Sequence, residues 1–440
     1  MQDQAGISKK NWLGWCLYDW ANSAFATIIL ASLLPVYFEY IVPEQGANIP
    51  LLGDPVDASV LWSYAVACSM FFVVVVAPYI GSLADRKGNH IQLLTFFCLL
   101  GASTTCLLYF AKTGNYLYAA LIFILANFCF ATANIFYNAF LPMLAVDREI
   151  DRLSGYGFAL GYVGGGLCLV LVVVIIHFHS FLGLASRDAA IRAGFLFTGL
   201  WWALFGIPVY FSLRRVQIPK RLVSLPSGFK GYLKIFSDIR NYNDLFYFLI
   251  AFLFYNDGIQ TIITVSAIYA KDVLELSQAA ILGCLLMIQF VAMPGSLIFS
   301  KLAESWGAKQ SVIISLVVFI GVTVYAGFVD SNTEFFILGF CVALVLGGSQ
   351  AASRSLFGSM VPRGRNAELY GFYAMSSKFA SIFGPFIFAF IAHMTESTRY
   401  SILALNLFFL TGIVLLFKVD QQRGKQAAEE SQSKMRDVVK

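Results

Sequence analysis

Four charged side chains lie inside long apolar runs of this sequence, namely Asp19, Asp257, Arg354 and Lys378. A charge at the centre of a bilayer is costly, and it usually faces a partner or a water-filled cavity. Two carboxylates and two cations together can hold both ends of a zwitterion, and a desolvated carboxylate can carry a proton. The competing interpretation is structural: Asp257 pairs with Arg354 or Lys378, and the pair only stabilises the helices.

Uncharged polar side chains accompany these charges. Gln350 precedes Arg354 by one helical turn, and Gln260 lies on the same helix face as Asp257. A rise of about 1.5 Å per residue places the four charges about 12 to 20 Å from the predicted helix ends, although Asp19 could instead cap or pair near its end. We therefore predict a binding site for substrate or protons, formed by Asp19, Asn22, Asn134, Asn138, Asp257, Gln260, Gln350, Arg354 and Lys378.

The elements that carry these residues are typical of a membrane protein. Of the 440 residues, 59% are hydrophobic and 12% are charged, and the mean hydropathy is +0.73. Soluble domains are about one quarter charged, and apolar runs of about 20 residues span a bilayer as helices. Twelve such runs occur, at 13–42, 60–83, 91–111, 116–144, 155–179, 191–213, 244–270, 277–299, 309–329, 334–360, 368–393 and 398–418. The predicted class is an all-α polytopic membrane protein, surrounded by the lipid bilayer.

Lys and Arg are distributed unevenly between the two sides of the predicted membrane. If the N-terminus is cytoplasmic, 23 of the 30 lie in the loops and tails of that side and 5 on the other. By the positive-inside rule, this asymmetry predicts that both termini are cytoplasmic. The net charge of +5 therefore reflects topology, and no nucleic-acid partner is expected.

The sequence also repeats itself. GSLADRKG (81–88) follows the second predicted helix, and SKLAESWG (300–307) follows the eighth; Gly155 likewise matches Gly371. Parallel repeats are a recurrent transporter design that holds the substrate between the halves. The predicted divisions are an N-terminal six-helix bundle (1–213), a linker (214–243), a C-terminal six-helix bundle (244–420) and a polar, disordered tail (421–440).

The linker allows two interpretations. Its apolar side chains recur at helical spacing among lysines, at Phe229, Tyr232, Leu233 and Phe236. This pattern favours a basic amphipathic helix lying on the inner leaflet. A solvated linker explains the composition equally well, and both interpretations stay open.

The repeated segment resembles the loop signature of the major facilitator superfamily (MFS). More specifically, the chain resembles the vacuole-effluxer branch, which includes an autophagy-related amino-acid effluxer and bacterial permeases. The matching stretches are YDWANSAF (18–25), SGYG (154–157), GYVGG (161–165), YNDG (255–258), GGSQAASRS (347–355) and YGFY (370–373). The resemblance implies the major facilitator fold, with twelve transmembrane helices in two pseudo-symmetric six-helix bundles. It also implies alternating access, a location in the bacterial inner membrane and a neutral amino acid as one possible cargo.

The resemblance further implies a gate. In the family, the first signature copy docks against the start of helix 11 and holds the cytoplasmic side shut. This implies gating roles for Gly81, Asp85, Arg86 and Gly88. For Glu304, in the second copy, a gating role and an ordinary solvated loop charge are equally open.

Several chemistries have no support in the sequence. All eight cysteines fall within predicted spans, and none forms a CxxC pair. No Ser-His-Asp set, Walker loop or HExxH helix occurs, so we expect no enzyme activity, no metal and no cofactor.

These observations predict a secondary active transporter for a small polar or zwitterionic solute, such as an amino acid. We expect alternating access, protons as the coupling ion and a monomeric protein. One alternative is an exporter of apolar drugs or organic anions. A second is a membrane receptor or scaffold that transports nothing.

Overall fold

The computed structural model describes residues 9–49, 54–216, 218–219, 234, 237–272, 274, 276–395 and 397–437. Across these residues, twelve helices are long and apolar enough to cross a membrane, and one more follows them. They are α1 Lys9–Ile41, α2 Ala58–Lys87, α3 His90–Phe110, α4 Tyr116–Leu144, α5 Arg148–His177, α6 Arg187–Leu213, α7 Asn243–Asp272, α8 Gln278–Trp306, α9 Ala308–Ala326, α10 Asn332–Ser359, α11 Asn366–Thr395, α12 Thr398–Phe417 and α13 Gln421–Asp437. The predicted class is confirmed.

Both signature copies were expected to be loop segments after the second and eighth helices, but the first seven residues of each copy are helical. α2 continues through Lys87 and α8 through Trp306, so Gly81 and Asp85 lie on the last turns of a helix. Each copy then ends at a glycine with positive φ, +71° at Gly88 and +101° at Gly307. Glycine adopts this conformation without the steric cost that a Cβ atom adds.

α1 changes its winding immediately after the polar stretch that contains Asp19 and Asn22. Residues Phe25–Ser32 form a π-helical segment between two α-helical segments. The Ser32 hydroxyl donates a hydrogen bond to the Thr27 carbonyl, 2.7 Å away. Such segments are rare and occur frequently beside functional residues.

The described chain packs as two compact units that cut across the predicted halves. Unit 1 comprises residues 1–77, 89–137 and 160–216; unit 2 comprises 78–88, 138–159 and 217–440. The ends of α2 and α4 and the start of α5 therefore pack with the second half of the sequence. The predicted division into bundles 1–213 and 244–420 describes the sequence repeat and stays a prediction.

The tail was predicted to be disordered, but its described part, Gln421–Asp437, forms a helix. Asp420 caps α13, since its carboxylate accepts hydrogen bonds from the backbone N–H groups of Gln422 and Arg423. The Arg423 guanidinium then holds the Asp244 carboxylate through two nitrogens, at 2.7 and 2.6 Å. Polar composition alone did not reveal these anchors. The linker positions Phe229, Tyr232, Leu233 and Phe236 lie outside the described residues.

Candidate functional site

In unit 1, the candidate residues of α1 and α4 form one hydrogen-bonded cluster. The Tyr137 hydroxyl donates to Asp19 Oδ2 at 2.7 Å, and Asn22 Nδ2 donates to Asn134 Oδ1 at 2.8 Å. Trp15 stacks on Tyr137, with ring centroids 4.3 Å apart. Asp19 is 7% exposed and lies well inside its helix, so it does not cap a helix end.

Glycines on α5 let α1 approach closely behind this cluster. A Cβ atom on Gly161 would lie 2.7 Å from the Ser23 hydroxyl, and one on Gly165 would lie 2.6 Å from the Thr27 hydroxyl. Small residues at such spacing permit close packing of membrane helices. The GYVGG stretch therefore packs α5 closely against α1.

In unit 2, Asp257 is fully buried between α7 and α11. Its Oδ1 accepts a hydrogen bond from the Gly384 backbone N–H at 2.9 Å, whereas its Oδ2 has no hydrogen-bond partner in the described residues. A Cβ atom on Gly384 would overlap the Thr261 hydroxyl, so this contact requires glycine. An isolated ionised carboxylate is very costly in an apolar environment.

Three further candidates on α7, α10 and α11 are less buried than Asp257. Lys378, Gln260 and Gln350 are all partly exposed. Across the described part of the chain, the Lys378 ammonium and the Gln260 amide form no hydrogen bond or ion pair, and Asp257 forms no ion pair with either cation. The predicted structural pair is therefore not seen in this conformation.

Arg354 joins α10 to parts of α4 and α5 that belong to the same unit. Its Nε donates to the Ser154 hydroxyl at 3.0 Å, and its Nη2 donates to the Ser154 carbonyl at 2.8 Å. Nη1 lies 3.4 Å from Asn138 Oδ1, and the guanidinium lies 4.1 Å from the centre of the Phe158 ring. The guanidinium, only 3% exposed, therefore bridges the two halves of the sequence.

The first signature copy docks on the start of α11, as the resemblance implied. The two carboxylate oxygens of Asp85 accept hydrogen bonds from the backbone N–H groups of Ala367 and Glu368, at 3.0 and 2.8 Å. Free N–H groups and the helix dipole favour an anion at this position. A Cβ atom on Gly81 would overlap the Ala367 carbonyl, so the approach requires glycine.

The second copy docks on the start of α5. Glu304 binds Arg152 through both carboxylate oxygens, at 3.1 and 2.6 Å, and the Ser300 hydroxyl donates to the Asp151 carbonyl at 2.8 Å. Glu304 is therefore paired rather than solvated. Arg86 is exposed and forms no ion pair within the described residues.

The sequence analysis missed a buried ion pair beside the first copy. Arg365 and Glu368, which are 4% and 0% exposed, bind each other one turn apart at the start of α11. The Arg365 guanidinium also lies 4.0 Å from Asp238 and 5.5 Å from the centre of the Tyr242 ring. The charge pattern RxxE at a helix start was visible, but its burial was not.

Comparisons with known proteins agree with this fold. The sequence model of the vacuole effluxer Atg22-like family matches residues 7–429. The chain belongs to this family. MFS-type transporter YxiO of Bacillus subtilis (strain 168) is 32% identical over 418 residues, which cover 94% of this chain and 96% of that protein. Autophagy-related protein 22 of Saccharomyces cerevisiae (strain ATCC 204508 / S288c) is 24% identical over 501 residues, covering 96% and 94%.

Solved structures with a similar fold are also MFS transporters. A bacterial homologue of the iron transporter ferroportin, in an outward-facing state, aligns with a TM-score of 0.67 at 15% identity over 93% of this chain and 98% of that chain. The proton:xylose symporter XylE aligns with a TM-score of 0.66 at 12% identity over 96% and 98%. The predictions of family, of the major facilitator fold, of a multi-pass membrane transporter and of a protein that is not an enzyme are confirmed.

Proposed function

We propose that this family member is a proton-coupled transporter of a small carboxylate-bearing solute, such as an amino acid, with Asp257 as the proton carrier. The observation that supports this most strongly is the burial of Asp257, whose Oδ2 has no hydrogen-bond partner among the residues that the structure describes. A carboxylate in this position gains most from a bound proton or an arriving cation. Asp19 is the weaker candidate because Tyr137 already donates a hydrogen bond to it.

In this proposal, Arg354 serves the transport cycle in two ways. In the conformation described, it holds Ser154 and Asn138 against α10. When alternating access separates these elements, its planar fork becomes available for a carboxylate, which it matches with two parallel hydrogen bonds. Lys378, which has no described partner, supplies a second cation on α11. The bacterial inner membrane, cytoplasmic termini and a monomeric state belong to the same proposal.

The decisive test of proton coupling uses Asp257→Asn in proteoliposomes. We expect the variant to lose uptake driven by an imposed pH gradient by at least tenfold, yet to retain exchange of labelled for unlabelled solute. Asp257→Glu, which keeps the acid, provides the matched control. If the imposed pH gradient does not change the rate of uptake by the wild-type protein, proton coupling is refuted.

The cargo is tested by thermal unfolding of purified protein with amino acids, dipeptides and organic acids. Arg354→Lys keeps the charge but removes the planar guanidinium, which can bind a carboxylate through two parallel hydrogen bonds. It should lower affinity for amino acids at least tenfold, because one charge-assisted hydrogen bond is worth about 1.5–3 kcal/mol. Affinity for the corresponding amino-acid amides should change little. An equal loss for both ligand sets would show that Arg354 acts only on the fold.

The panel also tests the alternatives. Stabilisation by apolar drugs alone would favour the drug exporter, and binding without flux would favour a receptor. If Asp257 and Lys378 form a structural pair in another conformation, Asp257→Asn combined with Lys378→Gln should restore transport that either change alone abolishes.

A further inference from the structure

A groove with a volume of about 380 Å³ lies between α7 and α11 in unit 2. Its walls are apolar and are formed by Phe246, Leu249, Ile250, Leu253, Phe372 and Met375. The segment that precedes α7 closes one end, where Ser237 and Arg240 lie. The groove is therefore mostly apolar along its length, where Ser376 is the one polar residue among those that line it, and polar at the end that holds Ser237 and Arg240.

Its length matches one leaflet of a membrane. Arg240 lies three residues before the start of α7 at Asn243, and Leu253 lies ten residues after it. At about 1.5 Å per residue, the groove extends about 15 Å along α7. The hydrocarbon core of a bilayer is about 30 Å thick, so this depth is about half of it. Arg240 thus falls at the level of the lipid headgroups.

The charge at the polar end of the groove has no counter-ion within the described residues. Arg240 is exposed, and its guanidinium forms no hydrogen bond or ion pair there. The neighbouring carboxylate, Asp238, instead faces Arg365 at 4.0 Å. Residues 214–237, which lead into this segment, contain no Asp or Glu. The end of the groove is therefore cationic.

We propose that this groove binds an anionic phospholipid, with an acyl chain between α7 and α11 and the phosphate on Arg240. Guanidinium groups bind phosphate through two parallel hydrogen bonds. Basic pockets at the membrane surface are known recognition sites for anionic lipids. A zwitterionic lipid fills the same apolar walls but gains less at Arg240, since its headgroup carries its own cation.

Occupancy of the groove is linked to the gate by the segment that forms its end. Ile239 lines the groove, and the flanking Asp238 and Tyr242 both lie against Arg365. Arg365 in turn binds Glu368, whose backbone N–H donates to Asp85. A lipid that orders this segment therefore also orders the start of α11.

The test measures lipid binding to the purified, delipidated full chain. Dioleoyl phosphatidylglycerol and dioleoyl phosphatidylcholine are compared by native mass spectrometry and by the shift in thermal midpoint. We expect at least fivefold tighter binding of phosphatidylglycerol. Arg240→Gln should remove this preference, and Ile250→Trp, which fills the groove, should weaken binding of both lipids. Arg215→Gln, an exposed linker change of equal charge, should leave both affinities unchanged.

Three results would contradict the proposed lipid site. Equal affinity of the wild-type chain for both lipids would overturn the proposal. So would equal losses in Arg240→Gln and Arg215→Gln, because they would indicate attraction to surface charge in general. Glycerol phosphate and oleate, added separately, test the headgroup and chain; either one alone reproducing the full shift would also contradict a site that needs both. The lipid-free thermal midpoint of each variant monitors folding, and none of these readouts depends on the cargo.

Discussion

The two signature copies perform matching tasks with different chemistry. Asp151 and Ala367 each lie four residues before the matched glycines, Gly155 and Gly371. At the first copy a glycine meets the Ala367 carbonyl, whereas at the second the Ser300 hydroxyl donates to the Asp151 carbonyl. The equivalent carbonyls are therefore contacted by the backbone of a glycine in the first copy and by the hydroxyl of a serine in the second.

The carboxylates differ in the same way. Asp85 is fully buried and binds backbone N–H groups, whereas Glu304 binds the side chain of Arg152, which is 47% exposed. Backbone groups at a helix start are fixed in position, but an exposed arginine loses side-chain entropy when it is held. The comparison indicates that the first copy contributes more to the stability of this conformation than the second.

The largest expected effect comes from giving the first copy the residue of the second. Gly81→Ser would place side-chain atoms on the Ala367 backbone, and overpacking of this kind typically costs about 1–3 kcal/mol. We expect the transport rate to fall at least tenfold and the thermal midpoint to drop. Ser300→Gly is the matched control and should have a smaller effect. Equal losses of transport rate and thermal midpoint in the two variants would contradict the proposed difference between the two signature copies.

A smaller effect is expected at the first carboxylate. Asp85→Asn replaces one acceptor with an amide N–H₂ that faces a backbone N–H. An unsatisfied buried group costs about 1–3 kcal/mol, so the thermal midpoint should fall by several degrees. Asp85→Glu keeps the charge but lengthens the side chain and should recover part of the loss. Wild-type stability in Asp85→Asn would show that the helix-start contact contributes little.

The smallest effect is expected at the second carboxylate. Glu304→Gln should change stability by about 0–1 kcal/mol because its partner is largely exposed to solvent. The change should also shrink as salt is added. A double-mutant cycle with Arg152→Gln measures the pair directly by thermal unfolding. A coupling free energy between Glu304 and Arg152 that exceeds the loss of stability in Asp85→Asn would reverse the proposed ranking.

The sequence was sufficient for the architecture because long apolar runs specify membrane helices and a repeated signature specifies the fold family. It also identified Asp85 and Gly81, since the family relationship assigns them a docking position. It did not reveal that Arg354 binds Ser154, because that contact joins residues 200 positions apart. Nor did it indicate the helix of the tail, because its contacts, such as that of Arg423 with Asp244, join residues far apart in the sequence. Whether the clusters around Asp19 and Asp257 share one pocket stays a prediction.

Pro385 follows the glycine whose N–H group binds Asp257. Proline has no N–H of its own and usually bends a helix. α11 therefore lacks one backbone donor at Pro385, and the preceding N–H, of Gly384, donates to Asp257 on α7. If Asp257 carries the proton, as proposed, its protonation would alter the hydrogen bond to Gly384 and with it the bending of α11 beside Pro385.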